Sequence, residues 1–265
     1  MGVIMEYLLF TDETNLQPAQ DSKFFIYGGV FFPTNILGEI HNLVESARIY
    51  NNFVPEDEFK FDTRSRPAHV EINQHRAAKN AVLNGCMNLG VKFVACLVLH
   101  SIASRHTLET LISWGANSVF CAFDRFLQEE NTNGIAIADR LPFRGNFRFL
   151  QEKFQMGLTF PWGTNRRLEN IHLYGFSCIG TSHASSAIDI ILGAFRYCVN
   201  ERDRHQKARN MLPNIVRMMW HKRDNSDVQI KDYGLLYRPK KVRVDEYRRQ
   251  YNELTNHFVR ILRGD

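Results

Sequence analysis

Three aspartates occupy positions where a carboxylate needs a specific reason. Asp12 directly follows a mostly apolar run, and Asp139 directly follows Ile-Ala-Ile-Ala. Asp189 lies inside the apolar stretch Ala-Ile-Asp-Ile-Ile-Leu-Gly, where burial of a charge without a partner is costly. Since no cysteine cluster accompanies them, these carboxylates favour a hard, oxygen-preferring ion, and the chemistry they suggest is binding of Mg²⁺ or Mn²⁺.

Each aspartate also has a structural alternative. Aspartate is common directly after strands, where it caps the next turn or helix, and this applies to Asp12 and Asp139. Asp189 could form a buried ion pair, with Arg196 as the nearest partner in the same helix. A stripe of small and polar residues recurs every three or four positions and lets this helix lie close to whatever the aspartate touches: Ser182, Ser186, Asp189, Gly193 and Arg196.

A fourth motif combines an acid and a base. Alternation over residues 56–62 predicts a short half-buried strand with Glu58 and Lys60 on one side and Phe59 and Phe61 on the other. A carboxylate and an ammonium group together can hold a metal ion and a phosphate. The alternative is a surface ion pair of little energetic consequence.

These residues sit in a chain that reads as alternating strands and helices. Apolar and periodic patterns predict strands over residues 4–11, 24–32, 91–99 and 135–138, and helices over residues 34–50, 68–89, 107–128, 144–156, 182–200 and 245–262. We therefore expect an α/β fold with a mixed sheet, because the first two strands can pair antiparallel. If the strands before Asp12 and Asp139 are parallel neighbours, both carboxylates emerge at the carboxyl edge of the sheet, where α/β proteins place ligands.

Charge is distributed unevenly along the 265 residues. Residues 1–195 hold 16 Lys and Arg against 19 Asp and Glu, whereas residues 196–265 hold 17 against 9. We expect a core over residues 1–200 and a basic, mostly helical extension over 201–265 packed on it. The excess predicts a polyanionic partner, with Lys240, Lys241 and Arg243 as phosphate contacts; a solvated helical surface is the alternative.

Other sequence features exclude several protein classes. There is no Gly-x-Gly-x-x-Gly and no Walker A loop, so dinucleotide and P-loop sites have no support. The five cysteines form no Cys-x-x-Cys pair, which favours reduced, buried thiols in a cytoplasmic protein. No apolar run approaches the ~18 residues of a membrane span, and no basic region precedes an apolar one, so neither a membrane nor a secretory signal is expected.

The order of the motifs resembles the domain-of-unknown-function family 3800. The residues that carry the resemblance are Asp12-Glu13, the strand containing Gly28-Gly29, Glu58-x-Lys60, Asp139-Arg140 and the helix around Asp189, spanning about residues 5–200. The chain departs from the family at Thr14-Asn15, Ser186 and Ile188. The resemblance implies an RNase H-like fold, in the broad superfamily of retroviral integrases.

The resemblance also implies roles for individual residues. Asp12, Glu58, Asp139 and Asp189 would ligate Mg²⁺ or Mn²⁺, and Lys60 would contact a phosphate. The expected activity is Mg²⁺-dependent cleavage of phosphodiester bonds in DNA or RNA, with two ions ~3.5–4 Å apart. Two alternatives stay open: a nucleic-acid-binding protein that keeps the fold without catalysis, or an interaction subunit of a larger defence or mobile-element assembly. A protein partner or a second copy of the chain is a further expectation.

Overall fold

Strands and helices alternate along the chain in this computed structural model, which describes residues 6–16, 22–140, 146–159, 165–201, 206–224 and 227–264. The strands are β1 (Tyr7–Thr14), β2 (Phe24–Pro33), β3 (Lys92–Leu99), β4 (Gly134–Asp139), β5 (Leu158–Thr159), β6 (Asn165–Arg166), β7 (Ile171–Ser177), β8 (Lys222–Asp224), β9 (Asp227–Gln229) and β10 (Leu235–Tyr237). The helices are α1 (Leu37–Ile49), α2 (Ile72–Asn88), α3 (His100–Ala103), α4 (Leu108–Glu129), α5 (Asn146–Gln155), α6 (His183–Glu201), α7 (Gln206–Met218) and α8 (Asp245–Arg263).

Six strands form one mixed sheet in the order β10-β3-β2-β1-β4-β7. Strand β2 runs antiparallel to β1 and β3, whereas β1, β4 and β7 run parallel to one another. The first two strands pair antiparallel, as the sequence allowed. The strands that carry Asp12 and Asp139 are parallel neighbours, which the sequence had left as a condition. The chain is therefore an α/β protein with helices flanking a mixed sheet.

The two faces of the sheet carry separate hydrophobic cores, because side chains alternate along each strand. Leu8 and Phe10 of β1 belong to the core beneath α6, together with α1, α2, α7 and α8. Leu9 of β1 and Phe31 of β2 belong to the core beneath α4. Helix α6 contacts β1 and β2 directly, so residues on its sheet-facing side lie over the middle of the sheet.

Residues 56–62 do not form the predicted strand. The segment is irregular: Phe59 is buried and Glu58 is exposed, but Lys60 and Phe61 are both half-buried. The carbonyls of Lys60 and Phe61 pair with α2 instead of with a neighbouring strand, through His75 Nε2 at 3.0 Å and Lys79 Nζ at 2.8 Å. The predicted alternation is therefore kept only at Glu58 and Phe59.

The C-terminal part of the chain contributes to the main sheet. Strand β10 pairs parallel with β3 at the sheet edge. Helix α8 buries Tyr251, Leu254 and Phe258 against the core beneath α6. Because β10 has only three residues, its sequence shows no hydrophobic periodicity, and it forms a strand by pairing with the edge of β3.

The thiols agree in part with the expectation of buried cysteines. Cys86, Cys96 and Cys198 are buried, whereas Cys121 is half-buried and Cys178 is exposed, and all five are free. Among the described helices, none combines the length and apolarity that crossing a membrane would require.

Candidate active site

Asp12 and Asp139 lie side by side at the carboxyl edge of the sheet. The parallel register pairs Thr11 with Ala138, so the next residue on each strand is an aspartate. Both point to the α6 side, where they line a small cavity together with Ser185 and other residues of that helix and of the sheet. Asp12 lies within β1 and does not follow it, because the pairing with β2 continues as far as Thr14.

A glycine in β2 lies beneath α6 at this edge. Gly28 is the cross-strand partner of Asp12. A Cβ atom at Gly28 would lie 2.5 Å from Leu192 Cδ1, so the glycine leaves room for the Leu192 side chain of α6 over β2. Asp189 is three residues before Leu192, on the adjacent turn of α6. Asp189 thus lies on the side of α6 that packs over the sheet, and its charge raises the pKa of Asp12.

Asp189 is held by the backbone of the irregular segment. Its Oδ2 accepts a hydrogen bond from the Phe61 N–H at 2.6 Å. One turn later, a Cβ atom at Gly193 would lie 2.5 Å from Phe61 Cβ, so the small residue makes room for this contact. Arg196, the ion-pair partner that the sequence left open, donates from Nη1 to Thr14 Oγ1 at 3.3 Å and acts on Asp189 through space.

Like charge accumulates on these three residues, which we call the aspartate cluster (Asp12, Asp139 and Asp189). Burial raises the pKa of Asp12 well above its ordinary value, and Glu13, Asp139 and Asp189 raise it further. Burial is also the largest cause of the raised pKa of Asp139 and of Asp189. The hydrogen bond from the Phe61 N–H opposes the shift at Asp189, as do Lys60 and Arg196. A cation at the cluster would relieve this repulsion.

Lys60 forms an ion pair with Glu58, and the charges of Asp189 and Asp139 act on it as well. Lys60 Nζ lies 2.7 Å from Glu58 Oε2, and their side chains are 30% and 58% exposed. The pKa of Lys60 is raised, mainly by its hydrogen bond to Glu58 and also by Asp189 and Asp139. The ion pair left open as an alternative is therefore formed. Glu58, the more exposed partner, therefore fixes the position of the Lys60 ammonium group.

Glu13 is a fourth carboxylate that the reasoning from single residues did not select. Its Oε2 atom is buried without a hydrogen-bond partner. Burial raises the pKa of Glu13 to about 7, and Asp139 contributes to the shift. The only signal in the sequence is its position directly after Asp12. Strand alternation places it on the opposite face, which hid its proximity to Asp139.

The donor set fits a weakly held Mg²⁺ ion better than a closed metal site. Within the described ranges, no group of three or more His, Cys, Asp or Glu side chains is arranged to hold a metal ion. Mg²⁺ usually keeps several waters and takes one or two carboxylates plus substrate phosphates. The neighbouring pair Asp12 and Asp139 meets that requirement.

Comparison of the chain with protein-family models and with curated proteins finds no match. The functional argument therefore depends on the site itself. Its components are a carboxylate pair at a sheet edge, a third aspartate on α6, and a lysine held beside them by an exposed glutamate.

Proposed function

We propose that this protein is a Mg²⁺- or Mn²⁺-dependent nuclease with an RNase H-like fold, as its resemblance to family 3800 implies. The observation that carries the proposal is the parallel register of β1 and β4, which places Asp12 and Asp139 side by side at the carboxyl edge of the mixed sheet. The charges of Asp189 and Lys60 act on this pair. The mixed sheet, with β2 as its antiparallel strand among these neighbours, supports the RNase H-like assignment.

Each residue has a distinct part in the proposed reaction. When bound, divalent ions lower the pKa of an attacking water and neutralise the leaving oxygen of a phosphodiester. Asp12 and Asp139 would hold an ion together with a phosphate oxygen. Asp189 would supply a third carboxylate from α6, in an orientation fixed by the hydrogen bond from the Phe61 N–H. Lys60 would pair with the phosphate, and Glu58 positions the ammonium group.

A basic groove supports a polyanionic substrate. It has a volume of about 900 Å³ and is formed by α4, β6, the segment after β9 and α8. Its charged lining consists of one carboxylate, Asp232, and seven cations: Arg125, Arg166, Lys231, Arg238, Lys240, Lys241 and Arg248. Such an excess in a concave surface matches the regular negative charge of a nucleic-acid backbone.

The direct test is cleavage of labelled DNA and RNA, each single- and double-stranded, with Mg²⁺ or Mn²⁺. We expect the wild-type protein to cut at least one of the four, and Asp139→Asn to cut none. Retained cleavage in Asp139→Asn would contradict the proposed site. The main competing function is nucleic-acid binding without catalysis, which the lack of a three-ligand group among the described residues favours. It predicts binding of the same substrates and no cleavage by either protein.

The tail residues provide a matched test of the basic groove. Lys240 and Lys241 line it, whereas the equally exposed Arg243 does not. We expect the double variant Lys240→Ala/Lys241→Ala to weaken nucleic-acid binding and to lower the salt dependence of the binding constant by about one unit of slope per lost phosphate contact. Arg243→Ala is the control and should change neither. Equal effects of both variants would show that general tail charge, not the groove, attracts the strand.

Gly193 tests the positioning of Asp189. In Gly193→Ala, the new Cβ would meet Phe61 Cβ and Cγ at 2.5 Å, which displaces the N–H that fixes the carboxylate. We expect cleavage to fall by about ten- to a hundredfold, since a displacement of 1 Å near reacting groups has effects of this size. Gly38→Ala in α1 is the control, because a Cβ there meets nothing within 4 Å. An unchanged rate in Gly193→Ala would remove the Phe61 contact from the mechanism.

A further inference from the structure

A second cavity lies directly behind the aspartate cluster. It encloses about 400 Å³ and is bounded by residues 61–63, α2, α6 and α7. Phe61 separates it from the cluster: its N–H donates to Asp189 Oδ2 at 2.6 Å and its carbonyl accepts from Lys79 Nζ at 2.8 Å. The two sites are therefore one residue apart.

The lining of this cavity is cationic. Among the residues that the structure describes, its nine lining residues include Arg76, Lys79 and Lys207 and no carboxylate. Lys79 is buried, and its Nζ lies 4.2 Å from the centroid of the Phe61 ring. Burial and the nearby Arg76 lower the pKa of Lys79 to about 8, although Asp62 and Asp189 act on it from outside the lining. A buried ammonium group among other cations is most stable when an anion enters.

The remaining lining suits a nucleotide base. The rings of Phe61 and Tyr197 lie with centroids 6.5 Å apart and planes inclined by 48°. Aromatic faces bind bases by stacking and tolerate different sequences. The side-chain amides of Asn80 and Asn210 offer both donors and acceptors at the same cavity. A volume of about 400 Å³ falls in the range of small-molecule pockets, which is enough for one nucleotide.

We infer that this cavity, the cation cavity, binds one nucleotide unit of a polynucleotide strand. Its phosphate lies among Arg76, Lys79 and Lys207, and its base lies against Phe61 and Tyr197. The inference rests on the proposed function for the identity of the ligand. The cation cavity would thus be a subsite for the polynucleotide, separate from the basic groove and one protein residue, Phe61, away from the aspartate cluster.

Binding in EDTA tests the cation cavity without cleavage. The probes are fluorescein-labelled 12-mers of deoxythymidylate and of uridylate, measured by anisotropy over a range of salt. We expect Arg76→Gln and Lys207→Gln each to weaken binding about tenfold and to lower the salt slope by about one. Arg209→Gln is the matched control, because Arg209 is an exposed cation on α7 that does not line the cavity. Wild-type affinity in both cavity variants would overturn the inference.

Two further arms identify the ligand. Tyr197→Leu should lower the affinity for the 12-mers about fivefold or more if a base stacks in the cavity. Thymidine and uridine monophosphates should compete only weakly with the labelled 12-mers, because a single nucleotide lacks the contacts that the rest of the polynucleotide makes. Competition as strong as that of an unlabelled 12-mer would make the cavity a site for free nucleotides and overturn the inference. If the variants lose 12-mer binding but the wild-type protein cuts nothing with Mg²⁺, the nuclease proposal fails and the cation cavity stands.

Discussion

Asp12→Asn is expected to abolish metal-dependent cleavage while leaving the metal-free protein at least as stable as the wild type. Asp12 is a member of the aspartate cluster, and burial and three neighbouring carboxylates raise its pKa well above the ordinary value. Asparagine keeps the shape and an acceptor for the Glu13 N–H, which lies 2.7 Å from Asp12 Oδ1. Removing the charge therefore relieves repulsion in EDTA. With metal, it should cost about a thousandfold or more in rate, because bound ions supply several kcal/mol.

The control for this variant is Asp227→Asn. Asp227 is exposed and pairs with Arg263 at 3.1 Å, away from the aspartate cluster. Its cleavage rate should equal that of the wild type, and its melting temperature should change little. Thermal unfolding in EDTA and cleavage with Mg²⁺ are measured on the same preparations. A melting temperature of Asp12→Asn far below that of the wild type in EDTA would mean that the carboxylate is a structural partner, and the metal-site hypothesis for Asp12 would fail.

The pH dependence of stability is expected to carry the signature of Glu13. Its pKa is about 7 in the folded protein, against an ordinary value of 4.5. The folded state thus binds the proton more tightly than the unfolded state. The contribution of protonated Glu13 to the free energy of unfolding is therefore complete below pH 4.5 and is lost as the pH rises through 7. A shift of this size corresponds to about 2 to 3 kcal/mol between pH 5 and 8. The raised pKa of Asp12 acts in the same direction.

Buried histidines oppose this trend, so the comparison must be between variants. The pKa of His75 is lowered to about 4, mainly by burial, which makes stability rise with pH until about 6.5. The measurement is urea unfolding in EDTA at pH 5, 6.5 and 8. The free energy of unfolding of Glu13→Gln minus that of the wild type should increase by about 2 to 3 kcal/mol from pH 5 to pH 8. Glu253→Gln, an exposed residue of α8, is the control. A constant difference between Glu13→Gln and the wild type at all three pH values would disprove a raised pKa at Glu13.

Mg²⁺ should stabilise the wild type more at pH 8 than at pH 5, since protons and cations compete for the same oxygens.

Much of the candidate site could be predicted from the sequence because its residues sit at ends or on faces of regular elements. The apolar runs before Asp12 and Asp139 predicted strands, and parallel pairing then places both residues at one edge. The spacing of Asp189 and Gly193 predicted a close helical stripe, and the structure uses it for the contact with Phe61. Both inferences need only the period of a helix or a strand.

Local pattern alone determined the α/β class and the expectation of an aspartate site, since hydrophobic periodicity is a property of neighbouring residues. It allowed the antiparallel pairing of the first two strands, which the structure shows. Only the tertiary structure decided that Lys60 pairs with Glu58 within electrostatic range of Asp189 and Asp139, because the irregular segment is held by α2 instead of by a strand. It likewise decided that Glu13 is buried without a partner and that Lys79 and Lys207 share a cavity with Tyr197. These relations join residues far apart in the chain. They depend on how closely α2, α6 and α7 pack, which the spacing of residues along a single element does not specify.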